Sequence, residues 1–175
     1  HLFSLADVET YSPSEDGRWT LANLPCFPKE VRFELKRGDD KKVDHGVEKQ
    51  FKTIKTLCNR TDVDTIINAG DADREGEIIV RLCVAEALST EKAQKRLWLP
   101  DQTPETVRKA LSEMKDEAEY DNLASEGFAR TYIDWLYGVN LTRYATIKTG
   151  KFLRVGRVIA PIVRAIYDRD MEIRN

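Results

Sequence analysis

Four acidic residues fall within seven positions near the middle of the chain, in the segment that runs from Asp71 to Glu77. Carboxylates held this close repel one another, and a bound divalent cation relieves that repulsion. Mg²⁺ in particular prefers hard oxygen ligands of this kind. The acidic block therefore predicts chemistry on phosphate groups, either in a nucleotide or in a nucleic acid.

Within the block, Asp71 and Asp73 are the favoured Mg²⁺ ligands, because alternate residues of an extended segment point to the same side. Glu75 continues this alternation. Glu77 is expected in the first turn of the next helix, where the helix dipole favours a negative charge, as a capping group and not as a ligand. Arg74 either reaches a phosphate or forms a local ion pair. The alternative for Asp71 and Asp73 is a pair of ordinary loop carboxylates.

The elements that must position this block alternate between strand and helix. A short apolar run at 65–69 predicts a buried strand directly before the block, and residues 76–88 predict a helix after it. Such alternation favours an α/β fold with a mostly parallel sheet flanked by helices, and it places the block at the carboxyl end of a strand. Residues 7–30 and 38–42 are expected to be turns and loops. The remaining predictions are strands at 31–35 and 96–99, and helices at 44–59 and 103–115.

The pattern changes after residue 118, because residues 121–145 and 157–171 have helical periodicity and no further strand is expected. This change predicts two domains, an α/β domain at 1–118 and the beginning of a mainly α-helical domain at 119–175.

Charge is distributed unevenly along the chain. The formal net charge is −2, yet residues 143–164 contain six basic residues and no acidic one. A local basic stripe on an acidic protein is typical of contact with a phosphate backbone, although a solvated charged surface is the alternative. The basic residues of this stripe are Arg143, Lys148, Lys151, Arg154, Arg157 and Arg164.

Other function classes find little support in the composition. The three cysteines form no Cys-x-x-Cys pair, which argues against a zinc ribbon or a dithiol redox motif. No apolar run reaches the roughly 20 residues of a membrane span, and no secretory signal opens the chain. We therefore expect an intracellular protein, in the cytoplasm and associated with the nucleoid.

The acidic block, Asp71-Ala-Asp-Arg-Glu-Gly-Glu77, resembles the Toprim signature of type IA DNA topoisomerases, with topoisomerase III-like enzymes the most similar. Further stretches agree along the chain. Trp19-Thr-Leu21 with Leu24-Pro25 resembles a Trp-Ser-Leu…Leu-Pro segment of that family, and residues 129–143 resemble the helix that opens its domain IV. Val155-Gly-Arg-Val158 with Pro161 resembles its Ser-x-Gly-Arg-Val-Gln-x-Pro motif. The fold implied is a Toprim domain without its first strand, followed by the start of domain IV.

The resemblance implies roles for individual residues. It implies Mg²⁺ at Asp71, Asp73 and Glu75. It places Arg130 against the DNA backbone, with Asp134 shaping the same groove, and it implies that Arg157 holds single-stranded DNA near the cleavage site. Two positions depart from the motif. Arg154 replaces the usual Ser and adds a possible phosphate contact, whereas Ile159 replaces the usual Gln and removes a polar group.

The activity implied is ATP-independent breakage of one DNA strand, passage of the other strand and rejoining, on single-stranded or negatively supercoiled DNA. In the family, a Glu on the first Toprim strand and a nucleophilic Tyr in a Pro-Arg-Thr context complete the site, and neither is found in this chain. We therefore expect the 175-residue chain to be inactive alone. A non-catalytic Toprim-type DNA-binding module and another Toprim enzyme, a nuclease or a primase, remain alternatives.

Overall fold

The structure, a computed structural model, describes residues 1–13, 18–38 and 40–174. The parts of the expected turn-rich segment and of the expected 38–42 loop that fall on residues 14–17 and 39 lie outside the described residues. The strands are β1 (Phe3–Leu5), β2 (Phe33–Leu35), β3 (Thr65–Asn68), β4 (Ala93–Arg96) and β5 (Lys115–Asp116). The helices are α1 (His45–Cys58), α2 (Arg74–Ala87), α3 (Pro104–Ser112), α4 (Asp121–Thr149) and α5 (Ile159–Arg174).

Two sheets are formed by these strands. β1 pairs with β2, and β3, β4 and β5 form a three-stranded sheet in that order. β3 and β4 are parallel, with α2 connecting them, whereas β4 and β5 are antiparallel. The architecture confirms the α/β class followed by helices, and the antiparallel β5 is an addition that the sequence did not indicate.

Helix starts follow the side chains that cap them. Asp44 accepts a hydrogen bond from the backbone N–H of Val47 at the start of α1, where a helix was expected from residue 44. Thr103 caps α3 in the same way, with Pro104 at the first helical position. Asp73 caps α2, which therefore begins two residues before the expected Gly76.

Two further differences from the sequence-based boundaries are decided by strand pairing. The strand expected at 96–99 lies at Ala93–Arg96, because it is the main chain of 93–96 that pairs with β3. Helix α3 ends at Ser112 and not near residue 115, since Lys115 and Asp116 pair with β4. These shifts place Arg96 at the end of a strand, next to the acidic block.

The chain divides into two compact units. The first contains residues 1–4 and 33–129, and the second contains residues 5–32 and 130–175. The boundary falls inside α4, whereas the domain boundary expected near residue 118 stays a prediction. In the first unit, α1 and α2 are joined at their ends, because the side-chain N–H of Asn59 donates to the carbonyl of Ala87 at 2.7 Å.

The second unit is held together by contacts between its N-terminal segment and α4. Asn140 pairs with the main chain of Cys26, accepting from its N–H at 2.6 Å and donating to its carbonyl at 3.0 Å. The rings of Tyr11 and Trp135 meet edge to face with centroids 5.6 Å apart. These contacts attach residues 5–32 to the helix that carries Arg130 and Asp134.

Candidate functional site

The acidic block leaves β3 and turns at once into α2. The N–H of Asp73 donates to the carbonyl of Asp71 at 2.8 Å, so the backbone bends here instead of remaining extended. A carboxylate oxygen of Asp73 accepts from the N–H of Gly76 at 2.7 Å. Glu75 consequently lies in the first turn of α2 and does not continue an extended alternation. Asp71, Asp73 and Glu75 are all solvent-exposed.

The main chain of Asp71 approaches Gly76 so closely that this position requires a glycine. A Cβ added to Gly76 would lie 2.5 Å from the carbonyl oxygen and 2.6 Å from the nitrogen of Asp71. Main-chain atoms at these distances leave no space for a side chain, so only glycine allows the first turn of α2 to pack against the bend. The absence of a side chain at Gly76 therefore allows Asp71 to lie directly against the first turn of the helix.

Arg96 lies beneath the bend with only 1% of its surface exposed. Its Nη2 donates to the carbonyl of Asp71 at 2.7 Å, and its Nη1 donates to the carbonyl of Gly70 at 2.8 Å. Its Nε donates to Glu77 at 2.6 Å. One guanidinium therefore binds the main chain of the acidic block to the start of α2 and the end of β4.

Glu77 is fully buried, and it belongs to a network of paired charges instead of acting as an exposed helix cap. Its two carboxylate oxygens accept from Arg96 and from Arg81, each at 2.6 Å. Arg81 also lies 3.4 Å from the carboxylate of Glu117, which accepts a hydrogen bond from the side-chain amide of Asn68 at 2.8 Å. Buried charges are tolerated when they are paired and hydrogen-bonded in this way.

Aromatic rings cover the network. Trp98 and Tyr120 stack with centroids 5.3 Å apart, and the guanidinium carbon of Arg96 lies 4.8 Å from the Trp98 centroid. Sequence reasoning missed this support, although a signal was present, because the predicted strand 96–99 combines a charged Arg96 with the apolar Leu-Trp-Leu. Arg74, for which two roles were open, forms an ion pair with Glu126 near the start of α4.

The second unit brings together three of the expected DNA-binding residues. Both oxygens of Asp134 accept hydrogen bonds from the guanidinium of Arg157, with Nη2 at 3.1 Å from Oδ2. Arg130 approaches the same carboxylate at 3.9 Å. The hydrogen bonds from Arg157, and then the positive charges of both arginines, hold the pKa of Asp134 below its usual range. The result is a cationic cluster in which Arg157 already has an anionic partner.

Arg154 is exposed and forms no ion pair with an acid among the residues that the structure describes. Its guanidinium lies 5.7 Å from the ring centroid of Phe152. Arg157 precedes α5, which begins at Ile159.

The basic stripe is divided between structural and exposed charges. Arg143 is nearly buried, lying 3.4 Å from Glu9 and 4.3 Å from the centroid of Trp19. Arg164 pairs with Asp168 at 2.8 Å. Lys148, Lys151 and Arg154 remain exposed. The cations available to a phosphate backbone are therefore fewer than the six that the sequence suggested.

No group of three or more His, Cys, Asp or Glu side chains is arranged to hold a metal ion within residues 1–13, 18–38 and 40–174. Mg²⁺ commonly keeps several water ligands and is bound through only one or two carboxylates. Asp71 and Asp73 supply two exposed carboxylates on a backbone fixed by Arg96. This donor set fits Mg²⁺ in a site rich in water.

Comparison with known proteins finds similarity to DNA topoisomerases along the chain. The family model described as DNA topoisomerase matches residues 118–175. DNA topoisomerase 3 of Bacillus anthracis is 34% identical over 175 residues, which is all of this chain and 23% of that protein. DNA topoisomerase 3 of Bacillus subtilis (strain 168) is 33% identical over 174 residues, or 99% of this chain and again 23% of the relative. The chain thus spans about a quarter of the length of these relatives. None of the described helices combines the length and apolar character that a membrane crossing needs.

Proposed function

We propose, from the similarity to DNA topoisomerase 3 along the whole chain, that this chain supplies the Mg²⁺-binding acidic segment and a single-strand-binding surface of a type IA DNA topoisomerase. The whole enzyme would break one DNA strand, pass the other strand through the gap and rejoin the ends without ATP. The observation that carries the proposal is the exposed pair Asp71 and Asp73 on a backbone that the buried Arg96 holds at the end of β3.

Asp71 and Asp73 would hold Mg²⁺, with Glu75 assisting from the first turn of α2. The metal would supply positive charge to the phosphate group at which strands are broken and rejoined. The part played by the chain is to keep two carboxylates exposed and fixed, and Arg96 and Gly76 support this through the main chain of Asp71.

A titration of the 175-residue chain with Mg²⁺, followed by amide chemical shifts, tests the metal proposal. We expect shifts to concentrate in residues 70–77 and to disappear in the double variant Asp71→Asn/Asp73→Asn. The chain contains a matched control, since Asp62 and Asp64 form another exposed Asp-x-Asp pair. If Asp62→Asn/Asp64→Asn abolished the response and Asp71→Asn/Asp73→Asn did not, the assignment would be wrong.

Single-stranded DNA would bind through its backbone at Arg130, Arg154 and Arg157, with Asp134 orienting Arg157. Each phosphate contact that is formed releases condensed counterions, which makes affinity dependent on salt. We expect Arg157→Gln to weaken binding of an oligonucleotide and to reduce the slope of log affinity against log salt by about 0.7. Arg60→Gln, which removes an exposed arginine of the first unit, is the control. Equal slopes for wild type and Arg157→Gln would argue against the contact.

A further inference from the structure

The segment that follows α4 is fixed to the helix that it leaves. Gly150 ends α4 with a positive φ of 67°, which glycine adopts without strain. The N–H of Leu153 then donates to the hydroxyl of Thr146 at 3.2 Å, and the N–H of Val155 donates to the hydroxyl of Thr142 at 3.0 Å. Thr142 also donates to the carbonyl of Val155 at 3.2 Å. Residues 153–155 are therefore presented on a fixed backbone.

Phe152 stands next to this fixed stretch with 61% of its surface exposed. A single exposed apolar side chain needs no explanation by itself. Phe152, however, lies within the 22 residues that contain six basic residues and no acid, between Lys151 and Arg154. The guanidinium of Arg154 is 5.7 Å from the ring centroid, which is a cation–π distance. Aromatic and cationic groups therefore occur together at an exposed position.

We propose that Phe152 is a stacking platform for one base of single-stranded nucleic acid, with Arg154 at the ring and the phosphate backbone running along the cations of the stripe. The inference rests on the proposed function and adds a base contact to its phosphate contacts. Every nucleobase has a π face, so this platform has no sequence preference. The positive charge of the surrounding segment selects a polyanion as the occupant over an apolar protein surface.

The fixed backbone favours such a contact. A ring carried by an ordered segment loses little conformational freedom when a base stacks on it, so more of the stacking energy appears as affinity. Stacking of a base on an aromatic side chain contributes about 1–3 kcal/mol, which corresponds to roughly fivefold to 150-fold in affinity.

Fluorescence anisotropy with two labelled strands of equal length tests the platform in the 175-residue chain. One strand is oligothymidylate and the other is an abasic strand with the same phosphates but no bases. We expect wild type to bind the thymidylate strand more tightly. Phe152→Leu, which keeps an apolar side chain but removes the π face, should lose at least about fivefold for thymidylate and nothing for the abasic strand.

Two control variants separate stacking from charge and from general exposure. Phe27 is 67% exposed and lies outside the stripe, so Phe27→Leu should bind both strands like wild type. Arg154→Gln should weaken both strands. If Phe152→Leu bound both strands like wild type, or weakened both equally, the platform would be overturned while the phosphate contacts stood. If wild type bound neither strand, the proposed DNA contact would fail and the platform with it.

Discussion

Replacing Arg96 tests whether one buried guanidinium organises the acidic block. Arg96→Met retains an unbranched, largely apolar side chain in a site where Arg96 is 1% exposed. It removes the 2.6 Å bond to Glu77 and the donors to the carbonyls of Asp71 and Gly70, at 2.7 and 2.8 Å. Glu77 keeps Arg81 as a partner, but its other oxygen and the carbonyl of Gly70 lose the guanidinium donor, and the carbonyl of Asp71 keeps only the N–H of Asp73.

The expected loss of stability in Arg96→Met follows from the burial of the ion pair between Arg96 and Glu77. Breaking a buried ion pair by removing one partner costs about 3–5 kcal/mol, because the remaining charge stays desolvated. We expect a value near the lower end, about 3 kcal/mol, because Arg81 still compensates part of the charge of Glu77. A pair on the surface behaves differently, and losing it costs about 0–1 kcal/mol.

Native-state amide hydrogen exchange measures the opening free energy of β3 and β4 directly, and it reports on the first unit alone. The control is Lys115→Met, which removes an exposed pair with Glu119 at 3.1 Å from the neighbouring strand β5. We expect Arg96→Met to lower the opening free energy of β3 far more than Lys115→Met does. If Arg96→Met changed it by no more than the control, the organising role assigned to Arg96 would be refuted.

Three further predictions concern packing, pH and activity. Gly76→Ala should destabilise α2 by about 1–3 kcal/mol, because the added Cβ clashes with the main chain of Asp71. The control Gly156→Ala should be nearly neutral, because nothing lies within 4 Å of its added Cβ. Equal thermal midpoints for the two variants would argue against the clash. Because Arg157 lowers the pKa of Asp134 in the fold, the stability gained from ionised Asp134 is complete above the ordinary Asp value near 4 and is lost as pH falls through the lowered pKa. Asp134→Asn should therefore flatten the stability–pH curve below about pH 4, and a curve as steep as that of wild type would contradict this. Finally, the 175-residue chain should leave negatively supercoiled plasmid unrelaxed in Mg²⁺, and relaxation on an agarose gel would show that expectation to be wrong.

Local signals in the sequence predicted much of the α/β fold. The caps Asp44 and Thr103 mark helix starts because they satisfy free N–H groups within three residues, an interaction that depends only on the neighbouring chain. Prediction from the sequence was less accurate where pairing with another strand decides the bounds of an element. It placed β4 on residues 96–99, which include the apolar Leu-Trp-Leu, whereas main-chain pairing with β3 selects Ala93–Arg96.

The chemistry of the candidate site was predictable from the sequence, but the buried residues that hold the acidic block in place were not. Clustered carboxylates at Asp71 and Asp73 are visible in the sequence, because their types and spacing alone suggest a cation. The buried pair of Glu77 and Arg96 was not visible, because two residues 19 positions apart become partners only when β4 lies beside β3. Arg157 was expected to meet DNA, and its partner Asp134 becomes evident only from the folded second unit.

Paramagnetic broadening by Mn²⁺ tests the central claim most directly, because it locates a divalent cation by distance and needs no activity. Substoichiometric Mn²⁺ is added to the isotope-labelled 175-residue chain, and the loss of amide signals is mapped along the sequence. The account predicts that broadening is strongest at residues 70–77, is competed away by Mg²⁺ and is absent there in Asp71→Asn/Asp73→Asn. Broadening centred on another acidic segment, or unchanged in that double variant, would contradict it.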